Sequence, residues 1–181
     1  PLFNEEGSVT GIVGLINNVT EHELLKKKLR EQAITDALTG LYNRAYLDEF
    51  IRTHSDDCYP LAIISADCDG LKEINDTYGH TAGDEYIKAT VSLFKMVLPQ
   101  ECILFRMGGD EFLVLLPSTS EEKTQLLVKQ LKDKQKQFRI QNRLLSLSFG
   151  LAVMNSRADS FHKCITDSDR NMYFEKRKKH K

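Results

Sequence analysis

The stretch Phe105-Arg106-Met107-Gly108-Gly109-Asp110-Glu111-Phe112-Leu113-Val114-Leu115-Leu116 decides how the chain is read. Apolar residues from Cys102 to Phe105 predict one buried strand, and Phe112 to Leu116 predict a second. Gly108-Gly109 between them favours a tight hairpin turn, because glycine takes positive φ without steric cost. Asp110 and Glu111 follow at once. Carboxylates held against two apolar strands are costly unless something positive sits on them, and a metal ion is the simplest such charge.

The surroundings are those of a globular protein. The 181 residues suffice for one ordinary domain plus an appendage, with 41% hydrophobic and 28% charged residues. A formal net charge of -1 gives no case for bulk nucleic-acid binding. The four cysteines (Cys58, Cys68, Cys102, Cys164) form no CxxC pair and read as reduced thiols of a cytosolic protein. No apolar run approaches the ~20 residues of a membrane helix. The chain opens on Pro1 rather than Met, so an upstream sensor or membrane anchor is expected.

Outward from the hairpin, Val9 to Ile16 predicts a strand. Thr20 with Glu23 has capping-box spacing. The helix that follows puts Leu25, Leu29 and Ala33 on one stripe, with Leu24 beside it. It reads either as a surface helix packed on its own domain or as a dimerising stalk. Asp36-Ala37-Leu38-Thr39-Gly40-Leu41-Tyr42-Asn43-Arg44 breaks that helix, and Asp36 is placed to pair with Arg44. Ala45 to Thr53 predicts a short helix, Leu61 to Ala66 a buried strand, and Leu71 to Tyr78 another helix. Gly79 to Asp84 predicts a turn, and Glu85 to Val97 a helix. After the hairpin come a helix over 121–138, a strand over 145–153, and a helix from Ser160 towards Lys176 that ends in a basic run. The order from Leu61 is β-α-α-β-β-α-β-α, which predicts an α/β sandwich (α+β) with a central, mostly antiparallel sheet and helices on both faces.

Asp67 stands at the carboxyl end of its strand and Asp110 just after the hairpin turn. If those strands are neighbours, Asp67, Asp69, Asp110 and Glu111 converge. Hard oxygen ligands suit Mg2+ or Mn2+, which keep one or two protein carboxylates and take phosphates for the rest. The helix start after Gly70 offers free N–H groups to phosphate, and Lys72 a positive charge. Together these are the parts of metal-assisted phosphoryl or nucleotidyl transfer. Taken alone, Asp67-Cys68-Asp69-Gly70 is also a strand-to-helix turn with capping acids, and Gly108-Gly109-Asp110-Glu111 an ordinary hairpin. An amide and a carboxylate, Asn75 and Asp84, suit a guanine edge, although each also reads as a cap or turn residue. His80 between Gly79 and Thr81 reads as a turn residue holding backbone. The basic run is either a solvated helix end or a phosphate clamp with Lys176 nearest the body.

These residues resemble a known family. Gly108-Gly109-Asp110-Glu111-Phe112 is similar to the signature of the GGDEF domain of diguanylate cyclases. Asp36-x-Leu38-Thr39-Gly40-Leu41-x-Asn43-Arg44 resembles its opening motif. The run from Asp67 through Asp69, Lys72, Asn75, Asp76, Gly79, His80 and Gly83 to Asp84 resembles its metal and substrate segment. Ser148-x-Gly150 and Asp169-x-x-Met172-Tyr173-x-x-Lys176 match as well. The resemblance implies a GGDEF domain over 36–181, a linker helix over 20–35 and, over 1–19, the end of a PAS sensor domain. It implies a five-stranded sheet related to nucleotidyl cyclase and polymerase palm domains.

The resemblance further implies a metal-dependent condensation of two GTP into cyclic di-GMP and two pyrophosphates at a homodimer interface, within a bacterial signalling protein. Asp67, the Cys68 carbonyl, Asp110 and Glu111 would hold two Mg2+ (or Mn2+) per site, with Asp110 and Glu111 as catalytic acids. Lys72 and Lys176 would bind phosphates, and Asn75 and Asp84 would read guanine. His80, Gly108 and Gly109 would line the substrate. The domain would work in the cytosol, under an upstream sensor in the same chain, with any membrane attachment through preceding regions. The sequence departs from the family at Pro99-Gln100-Glu101-Cys102, where an Arg-x-x-Asp inhibitory tetrad is usual, so no inhibitory site is expected. His180 stands where a basic residue, often Arg, is usual, and Leu71 replaces a usual Phe. A non-enzymatic GTP-binding module and another two-metal nucleotidyl transferase are the rival readings.

Overall fold

The computed structural model describes residues 2–11, 19–54 and 56–179, which fall into two units divided between Ala33 and Ile34. In the first, β1 (Leu2–Phe3) pairs antiparallel with β2 (Val9–Gly11). The rest of the strand predicted over 9–16 lies outside the described residues. The helix α1 (Val19–Ile34) follows, and Thr20 is already helical rather than its cap. Leu24, Leu25 and Leu29 are all more than half exposed, so the apolar stripe of this helix is uncovered.

The second unit is built on one sheet in the order β4-β5-β3-β8, with every neighbour antiparallel. Its central strands are β3 (Leu61–Cys68) and β5 (Glu111–Leu116), with β4 (Ile103–Gly108) and β8 (Leu147–Met154) at the edges. Between β5 and β8, β6 (Arg139–Ile140) and β7 (Arg143–Leu144) form a small separate hairpin that the sequence pattern did not predict.

Among the described residues the sheet has four strands rather than five. The nearest thing to a fifth is Tyr42, which makes a single parallel bridge to Phe105. It stops there because Asn43 at once caps α2 (Arg44–Thr53), accepting from the backbone N–H groups of Ala45 and Tyr46.

Alternation along β3 explains the two layers. Ala62, Ile64, Ala66 and Cys68 face one way, into a core with α3 (Leu71–Tyr78), α4 (His80–Val97) and α5 (Glu121–Lys134). Leu61 and Ile63 face the other way, against residues of α2 and α6 (Phe161–Lys179). Both faces are covered, so β3 is buried along its whole length. Each fully buried Leu or Ile contributes about 1.5–3 kcal/mol.

Three boundaries differ from expectation. The residues predicted as a turn over 79–84 are mostly the first turn of α4, because Gly79 alone, at φ 84°, makes the break. His80 is therefore a helix residue. The helix predicted over 121–138 ends at Lys134 and passes into a 3-10 turn over Gln135–Gln137, where Gln135 is buried and accepts from the Leu147 N–H. At the β4–β5 hairpin Gly108 pairs with Glu111, so the loop is Gly109-Asp110 and Asp110 sits in the turn itself.

The helix α6 crosses β8 at Gly150. A Cβ there would lie 2.1 Å from the Met172 nitrogen and from the Ser168 carbonyl oxygen. Only a residue without a side chain allows that approach. Gly150→Ala is expected to destabilise the domain by about 3 kcal/mol, measured by urea unfolding. An alanine variant as stable as the parent would contradict this close packing.

Candidate active site

The site lies where β3 ends beside the β4–β5 hairpin. Asp67 is opposite Glu111 on one side and Ser148 on the other. The Cys68 N–H donates to the Asp110 carbonyl at 3.0 Å, which ties the hairpin tip to the strand end. Gly109 takes φ 46°, the left-handed value the turn needs. Arg106 braces the tip from the far side. Its Nε and Nη2 donate to the Gly109 carbonyl at 3.1 and 2.8 Å, and its Nη1 donates to both oxygens of Asp36 at 3.1 and 3.2 Å. Asp36 thus pairs with Arg106 and not with Arg44. The guanidinium fork reaches two acceptors at once, and Asp36 also takes the Thr39 N–H and hydroxyl.

The expected convergence of four carboxylates is only partly realised. Asp69 is buried and fully engaged: it accepts from Ser146 Oγ (2.8 Å), Ser148 Oγ (2.7 Å) and Lys179 Nζ (2.9 Å). Burial would raise its pKa, but Lys179 and the two serines hold it below the usual carboxylate range. Asp67 differs. Lys176 Nζ donates to its Oδ1 at 2.6 Å, yet burial together with Asp110 and Asp69 keeps its pKa raised. Burial raises the pKa of Glu111 too, reinforced by Asp110, Asp67 and Asp169. Lys176 loses hydration here, but the pull of Asp67 leaves its own pKa above that of a free lysine. Negative charge is therefore in excess around Asp67, Asp110 and Glu111, even with Lys176 present.

Among the described residues no group of three or more His, Cys, Asp or Glu side chains is assembled to hold a metal ion by itself. A small divalent cation does not need such a cage, since it takes most of its ligands from water and phosphate. The mutually repelling Asp67 and Asp110 carboxylates fit such a cation. Cys68 could serve only through its carbonyl. Its side chain points into the opposite core beside Thr90, and burial pushes the thiol up to about 12.

The remaining predicted residues lie along α3 and α4. Lys72 is exposed on α3, whose N-terminal amides receive no side-chain cap. Asn75 lies against α4 at Gly83, where a Cβ would come within 1.9 Å of its Oδ1. Asp84 is the next residue and is exposed. His80 is exposed at the start of α4. His180 lies outside the described residues.

The sequence pattern assigned no role to Arg106, Lys179 or Ser146, and Ser148 entered only as part of the Ser148-x-Gly150 motif. It also missed Arg143, which reaches from β7 to Glu73 at 2.6 Å. Only Arg106 carried a local signal, as the polar residue of an otherwise apolar strand. The partners of the others depend on how β8 and α6 return to the site.

An antiparallel sheet that brings acids from a central strand end and a Gly-Gly hairpin together under a lysine is the architecture of a GGDEF domain. Residues 33–181 match the family described as "Diguanylate cyclase, GGDEF domain", and the chain belongs to it. The chain is 31% identical over 186 residues to the diguanylate cyclase DosC of Escherichia coli K12, covering 98% of this chain and 39% of DosC. It is 35% identical over 127 residues to the cyclic di-GMP phosphodiesterase PdeB of Shewanella oneidensis, covering 70% of this chain and 15% of PdeB. The chain thus spans well under half of either relative. A crystal structure of the coiled coil and GGDEF domain of DgcB from Caulobacter crescentus, in complex with c-di-GMP, superposes with a TM-score of 0.75. It is 25% identical, with 88% of this chain and 90% of that one covered.

Asp36 offers a test of the brace away from the acidic cluster. Burial would raise its pKa, but Thr39 and Arg106 lower it below the usual 3.8. A lowered folded-state pKa gives stability that is present above the unfolded value and is lost as pH falls through the folded one. Asp36→Asn is expected to cost about 1–3 kcal/mol at pH 7. In urea unfolding the gap should narrow below pH 4. A pH-independent gap would contradict the ion pair.

Proposed function

We propose that this domain is a diguanylate cyclase. It joins two GTP molecules, one on each of two facing copies, into cyclic di-GMP with release of two pyrophosphates. The observation that carries this reading is the placing of Asp67 opposite Glu111, beside the Gly108-Gly109 turn whose Asp110 is tied to the strand end by the Cys68 N–H. The names of the family and of DosC support it.

In this reading Asp67, Asp110, Glu111 and the Cys68 carbonyl would hold two Mg2+ or Mn2+ ions. A bound divalent ion supplies charge neutralisation on the triphosphate and polarises the α-phosphate. Asn75 accepts the role of hydrogen-bonding guanine through its amide, and Asp84 through its carboxylate, which takes the base's N–H donors. The uncapped amides at the start of α3, with Lys72 and Lys176, receive phosphate oxygens. Asp110 orients the 3′-hydroxyl of the facing nucleotide and takes its proton. The new bond joins that oxygen to the α-phosphorus, and the bond to the pyrophosphate oxygen breaks. The bare turn at Gly108 and Gly109 lets the nucleotide approach the backbone.

Each copy supplies one half of the product, so two domains must face one another. The uncovered Leu24, Leu25 and Leu29 of α1 suit a dimerising stalk better than a packed surface helix. The β1–β2 hairpin is read as the end of an upstream PAS sensor, with residues 20–35 as the linker. No helix among the described residues is long and apolar enough to cross a membrane.

The test uses the chain fused to a dimeric coiled coil and supplied with GTP and Mg2+. Cyclic di-GMP and pyrophosphate are expected, and Asp110→Ala should lower the rate by about 10²-fold or more. Added cyclic di-GMP should leave the initial rate unchanged, because Pro99 to Cys102 offers no Arg-x-x-Asp tetrad. GTP binding without pyrophosphate release from the forced dimer would instead favour a non-enzymatic GTP-binding module.

A further inference from the structure

We propose that Lys179 is a positioning residue that latches the end of α6 to the strand ends and so holds Lys176 where nucleotide phosphate binds. The inference rests on the nucleotide reading of the site. It begins from a contrast between two lysines three residues apart, and therefore on one face of α6.

Lys179 is committed. Its ammonium donates to Asp69 Oδ2 at 2.9 Å and to the Leu147 carbonyl at 2.6 Å, with Glu175 Oε1 at 3.6 Å. Two of its three donors are thereby used, and Glu175 Oε1 adds an ion pair without a hydrogen bond. Asp69 is committed in turn by Ser146 and Ser148. Lys179 is thus held by two hydrogen bonds and an ion pair, and Asp69 by three hydrogen bonds. Glu175 continues the chain to Lys132 of α5, so the latch joins β3, β8, α5 and α6.

Lys176 is not committed in this way. Among the described residues it makes one hydrogen bond, to Asp67, and leaves two donors over. Its acceptor is the carboxylate read as a metal ligand, so both partners can exchange each other for a metal and a phosphate. The fixed pair and the exchangeable pair lie side by side, with Asp67 and Asp69 two residues apart.

A latch is needed at this place. The last turn of a helix has unsatisfied carbonyls and opens readily. Here it also carries Lys176, Arg177, Lys178 and Lys179 in succession, which repel one another. Without the pull of Asp69 the turn bearing Lys176 would fray, and the lysine would pay the ordering entropy on binding. Asp69 thus acts through Lys179 on the position of Lys176, and not as a metal ligand.

The experiment has two readouts on the full chain: amide hydrogen exchange over residues 173–179 without nucleotide, and the affinity for 3′-deoxy-GTP with Mg2+, which lacks the attacking hydroxyl. Lys179→Ala and Asp69→Asn should each speed exchange about tenfold and weaken binding about fivefold. The double variant should be no worse than either single one, because both remove the same interaction. In the forced dimer KM should rise while kcat changes little. Lys179→Arg should restore binding, and Lys178→Ala should change neither readout. Unchanged exchange, or effects on binding that add in full, would overturn the latch. A parent chain that binds no 3′-deoxy-GTP would overturn the nucleotide reading itself, and exchange would still judge the latch.

Discussion

The constraint that organises this domain is the placing of Asp67 and Asp69 at the end of a strand buried on both faces. Buried carboxylates must be paired or neutralised. The chain meets this with α6, which arrives last and lays two lysines over two acids. That approach requires Gly150, because the helix backbone passes too close to β8 for any side chain. It also uses the serines of β8 and its approach, which satisfy Asp69 from below. Fold and site are therefore one problem: the elements that pack the helix are those that balance the charge.

The balance is unequal. Asp69 ends with its pKa lowered and Asp67 with its pKa raised, although each has a lysine. The difference lies in their neighbours. Two hydroxyls support Asp69, whereas Asp110 and Asp69 bear on Asp67. The same burial therefore shifts the two acids in opposite directions, and their neighbours decide the sign. The hairpin that brings Asp110 is itself held by Arg106, whose other partner is Asp36 just after α1. The turn that follows α1 and the turn that carries the acid thus share one guanidinium.

Much of this was legible in the sequence because the signals are local. The run from Leu61 to Ala66 is apolar except for Ser65, and its burial on both faces follows. The hairpin could be read from two glycines between apolar runs, although its loop lies one residue further on than the glycines alone suggest. The spacing of Asn75 and Asp84 is local too, and Gly83 beside Asp84 is where the Asn75 side chain packs. What stayed hidden were interactions between residues far apart in sequence. Nothing near Asp69 tells that Lys179, 110 residues later, will neutralise it. Nothing near Asp36 distinguishes Arg44, the nearer partner, from Arg106, which the sheet delivers. The fifth strand failed for a local reason, since Asn43 turns the chain into a helix after one bridge.

The central claim is that two copies of this acidic site together make one product. The most direct measurement is the rate of cyclic di-GMP formation per chain as a function of chain concentration, with GTP and Mg2+ saturating. The account predicts that the rate per chain rises in proportion to concentration while monomers prevail and levels off once dimers form. A rate per chain that does not depend on concentration in a monomeric sample, or a product made from a single GTP, would contradict it.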